Sequence, residues 1–322
     1  MALTLSPTPH PARAWCLGVL SSALREVYSS NGDLKTLNEV ISLDREALAL
    51  CPAPHPEHSG ALNGLANGLR SLAKRNRNID ALNEAISLLR DALTLHPVPN
   101  PDRMSSVNNL AIALQSLHHR NDVDSLNEAI SLHREALALC PAPHPGRSFS
   151  LNNLATALGY LHKCNGDIRA LNEAISLHRE VLGLRPAPHP KRSSALNNLA
   201  YSLCALHQHD KDIGTLNECI SLGREALALC PAPHRRRCTT LNVLARAYLS
   251  RFEQDGAVKV LDEAIALRQE VLVLCAPGQR RWAYYVKSLV QLLEKRHQVT
   301  GDDRDRGEIE GLKAELAAQR RH

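Results

Sequence analysis

Five histidines, His10, His55, His144, His189 and His234, each follow a proline in a recurring Pro-His phrase, and an imidazole can ligate a metal or act as a general base. Cys140 with His144, and Cys230 with His234, stand four residues apart, the pairing a thiolate nucleophile and its base would need. Spacing argues against both chemistries. Metal ligands must converge within about 2.1 Å of one ion, whereas this column advances along the chain by one sequence repeat per histidine. The cysteine column reads His96 and Arg185 in other copies, so no copy is singled out as an active site. His118 and His119, or His207 and His209, could meet Cys164 or Cys204, but no ligand motif of known spacing joins them. A glycine-rich phosphate loop is also absent from the sequence. The expectation is a chain with no catalytic residue, no metal and no cofactor, in which the Pro-His histidines sit at helix starts.

Basic residues cluster at Arg235, Arg236 and Arg237, and at Arg280 and Arg281 beside Trp282, Tyr284 and Tyr285. Phosphate contacts combined with base stacking on such a strip could hold a single-stranded nucleic acid. The net charge is only +5 and aromatic residues make up 3% of the chain, gathered in one place, so a solvated or partner-facing edge is the better reading. Nine cysteines could suggest disulfides, but Cys51, Cys140, Cys230 and Cys275 occupy one repeat column. Equivalent positions in stacked helices lie about 10 Å apart, whereas a disulfide needs Cα atoms within about 7 Å. Reduced thiols in a cytoplasmic or nuclear protein are expected. Pro7, Pro9 and Pro11 interrupt the start before an apolar segment of signal-peptide length can form, and no apolar run is long enough to span a bilayer.

The elements that carry these residues are copies of one unit. An LNEAISL-like phrase begins at Leu37, Leu82, Leu126, Leu171, Leu216 and Leu261, at intervals of 45, 44, 45, 45 and 45 residues. A fixed period of this size marks a solenoid. In the fourth copy Leu151, Leu154, Ala155, Leu158 and Leu161 form one apolar stripe at helical spacing, predicting a first helix (helix A) near 145–163 with proline at its first turn. An Asn165-Gly166 turn follows. Asp167 then opens helix B, in a column that holds Asp33, Asn78, Asp122, Asp167 and Asp212, all side chains able to cap a helix start. Helix B carries Leu171, Ala174, Ile175, Val181, Leu182 and Leu184, and Pro186 ends it. The Arg-Glu pairs of helix B (Arg45 and Glu46, Arg134 and Glu135, Arg179 and Glu180, Arg224 and Glu225) fall on successive residues and are read as its wet face. The one-residue deletion lies between Asn108 and Leu126, in the A-to-B turn.

The prediction is a single all-α domain over 1–322, a right-handed superhelical solenoid of about seven helix-turn-helix units at about 7–51, 52–96, 97–140, 141–185, 186–230, 231–275 and 276–322. The seventh is degenerate, and its charged residues (Asp302, Asp303, Arg304, Asp305, Arg306, Glu308) suit a terminal cap.

With its helix pairs placed, the unit resembles the tetratricopeptide repeat. Ala174, Val181 (alanine at Ala47, Ala92, Ala136 and Ala226) and Pro186 fit the small-residue and proline spacing of that motif's second helix, and Leu151, Leu154, Ala155 and Leu158 fit its first. The longer period places extra residues in the two connections. The LNNLA wording is similar to the repeats of kinesin light chains, and the full PAPHP with LNEAISLHREALAL looks like arrays common in mushroom-forming fungi. Those arrays often precede a caspase-like CHAT protease domain, which these 322 residues are not expected to contain.

The resemblance implies a scaffold whose helices A line a concave groove that binds a protein or peptide. Two columns would line it: Asn63, Asn108, Asn152, Asn197 and Asn242, and one turn further Asn67, Ile112, Thr156, Tyr201 and Arg246. The asparagines stay constant and would hold a peptide backbone, while the varying residues would choose its side chains. The asparagines could instead satisfy buried groups between adjacent helices, since a buried amide must find partners. The alternative function is a sensor array of a larger effector of CHAT protease or NTPase type whose catalytic domain lies elsewhere. No membrane partner is expected, and nucleic acid is the weakest candidate.

Overall fold

The computed structural model describes residues 12–319 apart from 99, 101, 118–121, 233, 235 and 276–280. His10, Pro7, Pro9, Pro11, His118, His119, Arg235 and Arg280 lie outside the described residues. Among the described residues the elements are fourteen α-helices. Two compact units divide them, residues 1–166 and 167–322.

In the first unit, α1 (Arg13–Asn31) pairs with α2 (Leu34–Leu50), α3 (His58–Asn76) with α4 (Ile79–Thr94), and α5 (Arg103–Gln115) with α6 (Val123–Ala138), and α7 (Arg147–Asn165) packs on α6. In the second, α8 (Ile168–Gly183) packs on α9 (Arg192–Asp210), which pairs with α10 (Ile213–Ala228). There α11 (Arg237–Asp255) pairs with α12 (Val258–Leu274), and α13 (Trp282–Thr300) with α14 (Asp303–Ala318). Odd-numbered helices are the A helices and even-numbered ones the B helices. In each unit a B helix also packs on the next A helix, so each hairpin buries its apolar faces against its neighbours.

The core follows the leucine stripes. In the first unit Leu65 and Leu69 of α3 meet Leu82, Ile86 and Leu89 of α4 and Leu110 and Leu114 of α5. In the second, Leu241, Leu244 and Tyr248 of α11 pack with Leu261 and Ile265 of α12 and with Trp282, Tyr285 and Leu289 of α13. Each such leucine stabilises the fold by about 1.5–3 kcal/mol. Burial of Trp282 and Tyr285 removes both rings from any stacking surface, leaving Tyr284 as the exposed member of that trio.

Side chains of the repeat phrase fix the helix ends. The B helices are capped as expected: Asp33 accepts from the Lys35 and Thr36 N–H groups, Asn78 from Ala81, Asp122 from Ser125, Asp167 from Arg169 and Ala170, Asp212 from Thr215, and Asp302 from Arg304. Ala257 breaks the series and caps nothing. The A helices begin later than predicted. Helix α7 starts at Arg147, because the Pro-His phrase forms its own turn before the helix. In that turn the histidine Nδ1 accepts the N–H two residues on: His55 from Glu57 (3.1 Å), His144 from Gly146 (3.0 Å), His189 from Lys191 (3.0 Å) and His234 from Arg236 (3.2 Å). Where the third copy replaces histidine, Asn100 Oδ1 accepts from Asp102 at 2.8 Å. The histidine column thus serves helix starts.

The Arg-Glu pairs prove to be more than a wet face. Arg45 reaches Glu84, Arg90 reaches Glu128, Arg179 reaches Glu218 and Arg224 reaches Glu263, each on the next B helix, at 2.8–3.5 Å. The arginine that opens an A helix bridges three elements. Arg192 donates to the Arg185 carbonyl after α8 (3.0 Å) and pairs with Glu225 of α10, and Arg103 does the same with His96 and Glu135. Pairs this exposed contribute about 0–1 kcal/mol each, so they set register more than stability. The one-residue deletion falls between Asn108 and Leu126, a stretch that includes residues 118–121 outside the described ones.

Candidate functional site

Two faces of the A helices separate cleanly by burial. Ala66, Ala111, Ala155, Ala200 and Ala245 are buried, and the residue after each, Asn67, Ile112, Thr156, Tyr201 and Arg246, is partly or fully exposed. A constant small residue is what close helix packing requires. Its neighbour varies among amide, aliphatic, hydroxyl, phenol and guanidinium. Tyr201 is 46% exposed, and the Arg246 guanidinium lies 5.4 Å from its ring centroid, a cation–π contact between adjacent A helices.

The asparagine column is engaged in different ways. Asn63 donates to the Ser59 carbonyl (2.9 Å) and accepts from Asn109 of the next A helix (3.0 Å). Asn197 is buried and donates to Thr240 Oγ1 of the next A helix at 2.7 Å, while its Oδ1 has no partner. Asn108 is buried with its Oδ1 likewise unbonded. Asn152 is half-buried and already bonded. Asn242 is half-buried and accepts from Arg268 Nη1 at 2.6 Å.

Arg268 belongs to a column of helix B that sequence reasoning missed. Its members are Asp44, Leu89, His133, His178, Gly223 and Arg268, the residue after each Ile-Ser-Leu-like phrase, and each is buried. Asp44 is satisfied within its hairpin, by Ser21 (2.5 Å) and by Arg25 of α1. His133 reaches Gln115 at 3.2 Å through Nε2. Burial pushes the imidazoles of His133 and His178 down to about 4, with the positive Arg185 adding to the effect at His178. The signal was present in the sequence: this is the one position of an otherwise constant phrase that switches among acid, base and apolar residue.

The residues weighed for chemistry are not assembled for it. Cys140 and Cys230 are fully buried, and the Nδ1 of His144 and of His234 is taken by the turn. His207 Nδ1 bonds the Asp212 carbonyl at 2.8 Å. Among the described residues no three His, Cys, Asp or Glu side chains converge as metal ligands. No helix among them is long and apolar enough to cross a membrane. Among the described residues no two cysteines form a disulfide. Of the basic cluster, Arg237 is tied to Glu270 and to the Cys230 carbonyl (2.9 Å).

Consecutive A/B hairpins with a buried alanine seam and a varying exposed column define an all-α repeat protein. Part of it is similar to the tetratricopeptide repeat. The tetratricopeptide repeat family model matches residues 150–191 and 237–273, and a model of anaphase-promoting complex subunit 5 matches residues 191–228. No curated protein matches the chain. Among solved structures, a putative kinesin light chain of Podosopora anserina with nearly identical TPR-like repeats is 23% identical, over 65% of this chain and 97% of that one, with a TM-score of 0.47. BtubC (BKLC) from P. vanneervenii is 17% identical over 80% and 96%, with a TM-score of 0.49. An alpha-1,6-mannanase of Salegentibacter sp. is 14% identical over 67% and 76%, with a TM-score of 0.39.

Proposed function

We propose that this chain is a protein-binding scaffold, not an enzyme, and that the exposed face of its A helices holds an extended peptide. The observation that carries this reading is the column Asn67, Ile112, Thr156, Tyr201 and Arg246: five accessible side chains of five chemistries, each beside a buried alanine. Packing dictates the alanines and leaves the next residue free to differ, which is where selectivity for a partner's side chains can reside. The asparagines divide in this reading. Asn197 and Asn63 tie adjacent A helices, and Asn242, still half-accessible, is the member best placed to offer its amide to a ligand.

The test uses peptides selected from a phage-displayed random dodecapeptide library on the full chain. Tyr201→Ala should weaken selected peptides that engage unit 2 by roughly tenfold, the scale of about 1.4 kcal/mol from one lost aromatic contact. It should leave the melting temperature nearly unchanged, because a half-exposed ring leaves no core cavity. Peptides insensitive to every substitution in the column, but lost on Arg179→Ala or Glu218→Ala of the B-helix ladder, would place binding on the other face.

A further inference from the structure

Arg268 is 2% exposed, yet no carboxylate pairs with it among the described residues. Its Nη1 donates to Asn242 Oδ1 at 2.6 Å, its guanidinium lies 5.7 Å from the Tyr285 ring centroid, and its Nε is buried without a hydrogen-bond partner. An uncompensated charge in such a place is costly, and proteins normally pair it. This chain does so elsewhere. Asp44, at the same column of α2, is met by Arg25 and Ser21 of α1, and buried Asp305 is held by Arg296. The positions of α11 that correspond to Ser21 and Arg25 are Ala245 and Leu249, neither of which can carry a countercharge. A second guanidinium, Arg246, lies on the same helix as Asn242, one turn on, half-buried and held against Tyr201. It too has no acidic partner among the described residues. The two cations are close enough that Arg246 adds to burial in lowering the Arg268 pKa, against the opposing pull of Tyr284 and Tyr285.

We infer that Asn242, Arg246 and Arg268 form an anion site on the A-helix face of the second unit, and that its ligand is the side-chain carboxylate of an acidic residue in a bound peptide. The inference rests on the proposed peptide-binding face and names the chemistry read there. Arg246, half-exposed and oriented by the Tyr201 ring, pairs with the carboxylate directly. Asn242 spends its oxygen on Arg268, which leaves its amide nitrogen to donate to the ligand. Arg268 acts from behind as a positioning residue: it fixes which way the Asn242 amide faces and adds a poorly screened positive charge below it. Tyr285, buried beneath, keeps water from Arg268.

The dodecapeptide library is panned against the wild-type full chain and against Arg246→Gln and Arg268→Met. Wild type should enrich Asp or Glu at one fixed peptide position. In synthetic peptides, changing that residue to Asn or Gln should weaken binding by about tenfold in fluorescence anisotropy, the loss expected for one charge-assisted pair. In either variant that preference should shrink to within about twofold. Arg268→Met should melt at the same or a higher temperature, because it removes an unpaired buried charge; a loss of preference in that variant is then not a loss of fold. Selected peptides without an acidic position that still lose binding in Tyr201→Ala overturn the anion site and leave the peptide-binding face standing. Recovery of no peptide overturns both. An acidic preference that survives Arg268→Met, or tighter binding of phosphoserine than of glutamate at that position, overturns the assignment as stated.

Discussion

His178 places a ring nitrogen in a helix interface where nothing bonds it: Nδ1 is buried without a partner, and burial together with Arg185 holds the imidazole down to about 4. In the unfolded chain the same group titrates near about 6.5. Between those values the unfolded state takes up a proton that the folded state refuses, so stability is full above about pH 6.5 and is lost as the pH falls toward 4. At 1.36 kcal/mol per pKa unit this amounts to about 3 kcal/mol across the window. Leu89 stands in the same column of the second repeat, so leucine is the natural replacement. His178→Leu should be more stable than wild type at pH 5 and lose part of the decline between pH 7.5 and 5, measured by urea unfolding at each pH. An unchanged decline would mean that His178 is protonated in the fold. None of this was legible from residue type, because histidine, aspartate and arginine ordinarily seek water. Burial here comes from the position on the phrase, on the face that α8 turns to its packed neighbour α9, and appears only once the helices are packed. The Pro-His histidines were legible at the residue scale because their role is local and reaches two residues.

At the scale of the element, the helix starts show how far a column can be read. The aspartates and asparagine of the B-helix caps were placed from sequence alone, since a cap needs only its own next three residues. Ala257 tests that logic. Its backbone is extended (φ −73°, ψ 106°), close to that of the Asp212 cap (φ −68°, ψ 127°), but it has no side chain to offer. Ala257→Asp should therefore stabilise the chain by about 1 kcal/mol. Thermal unfolding would show a higher melting temperature, and hydrogen exchange would show added protection in the first turn of α12. No change in either would mean the turn already satisfies those amides with water. The A-helix starts were read two residues early for a related reason. Proline at a first helical turn is a general preference, whereas the histidine turn that displaces the start depends on a specific side-chain bond. The Arg-Glu columns lie on the wet face as read, but their ion pairs were not foreseen, because successive residues face apart on their own helix while their partners lie on helices 32–39 residues away.

At the scale of the whole molecule, the period alone gave the alternation of A and B helices seen in the fourteen helices of the described residues, because every copy repeats the same stripe and the same breakers. What the period could not supply is which exposed residues act. A constant column is equally what packing needs and what a ligand needs, and Asn197 with its bond to Thr240 and Asn242 with its half-open amide illustrate both outcomes in one column. Variation against a constant neighbour is the more informative sign, and it points to Thr156, Tyr201 and Arg246. The most direct measurement is photo-crosslinking. A library-selected peptide carrying a benzophenone side chain is irradiated on the full chain and the adducts are mapped by mass spectrometry. Adducts on the A helices, at Tyr201, Arg246 or the equivalent positions of the column, are the predicted result. Adducts confined to the B-helix ladder, at residues such as Arg179 and Glu218, would contradict the account.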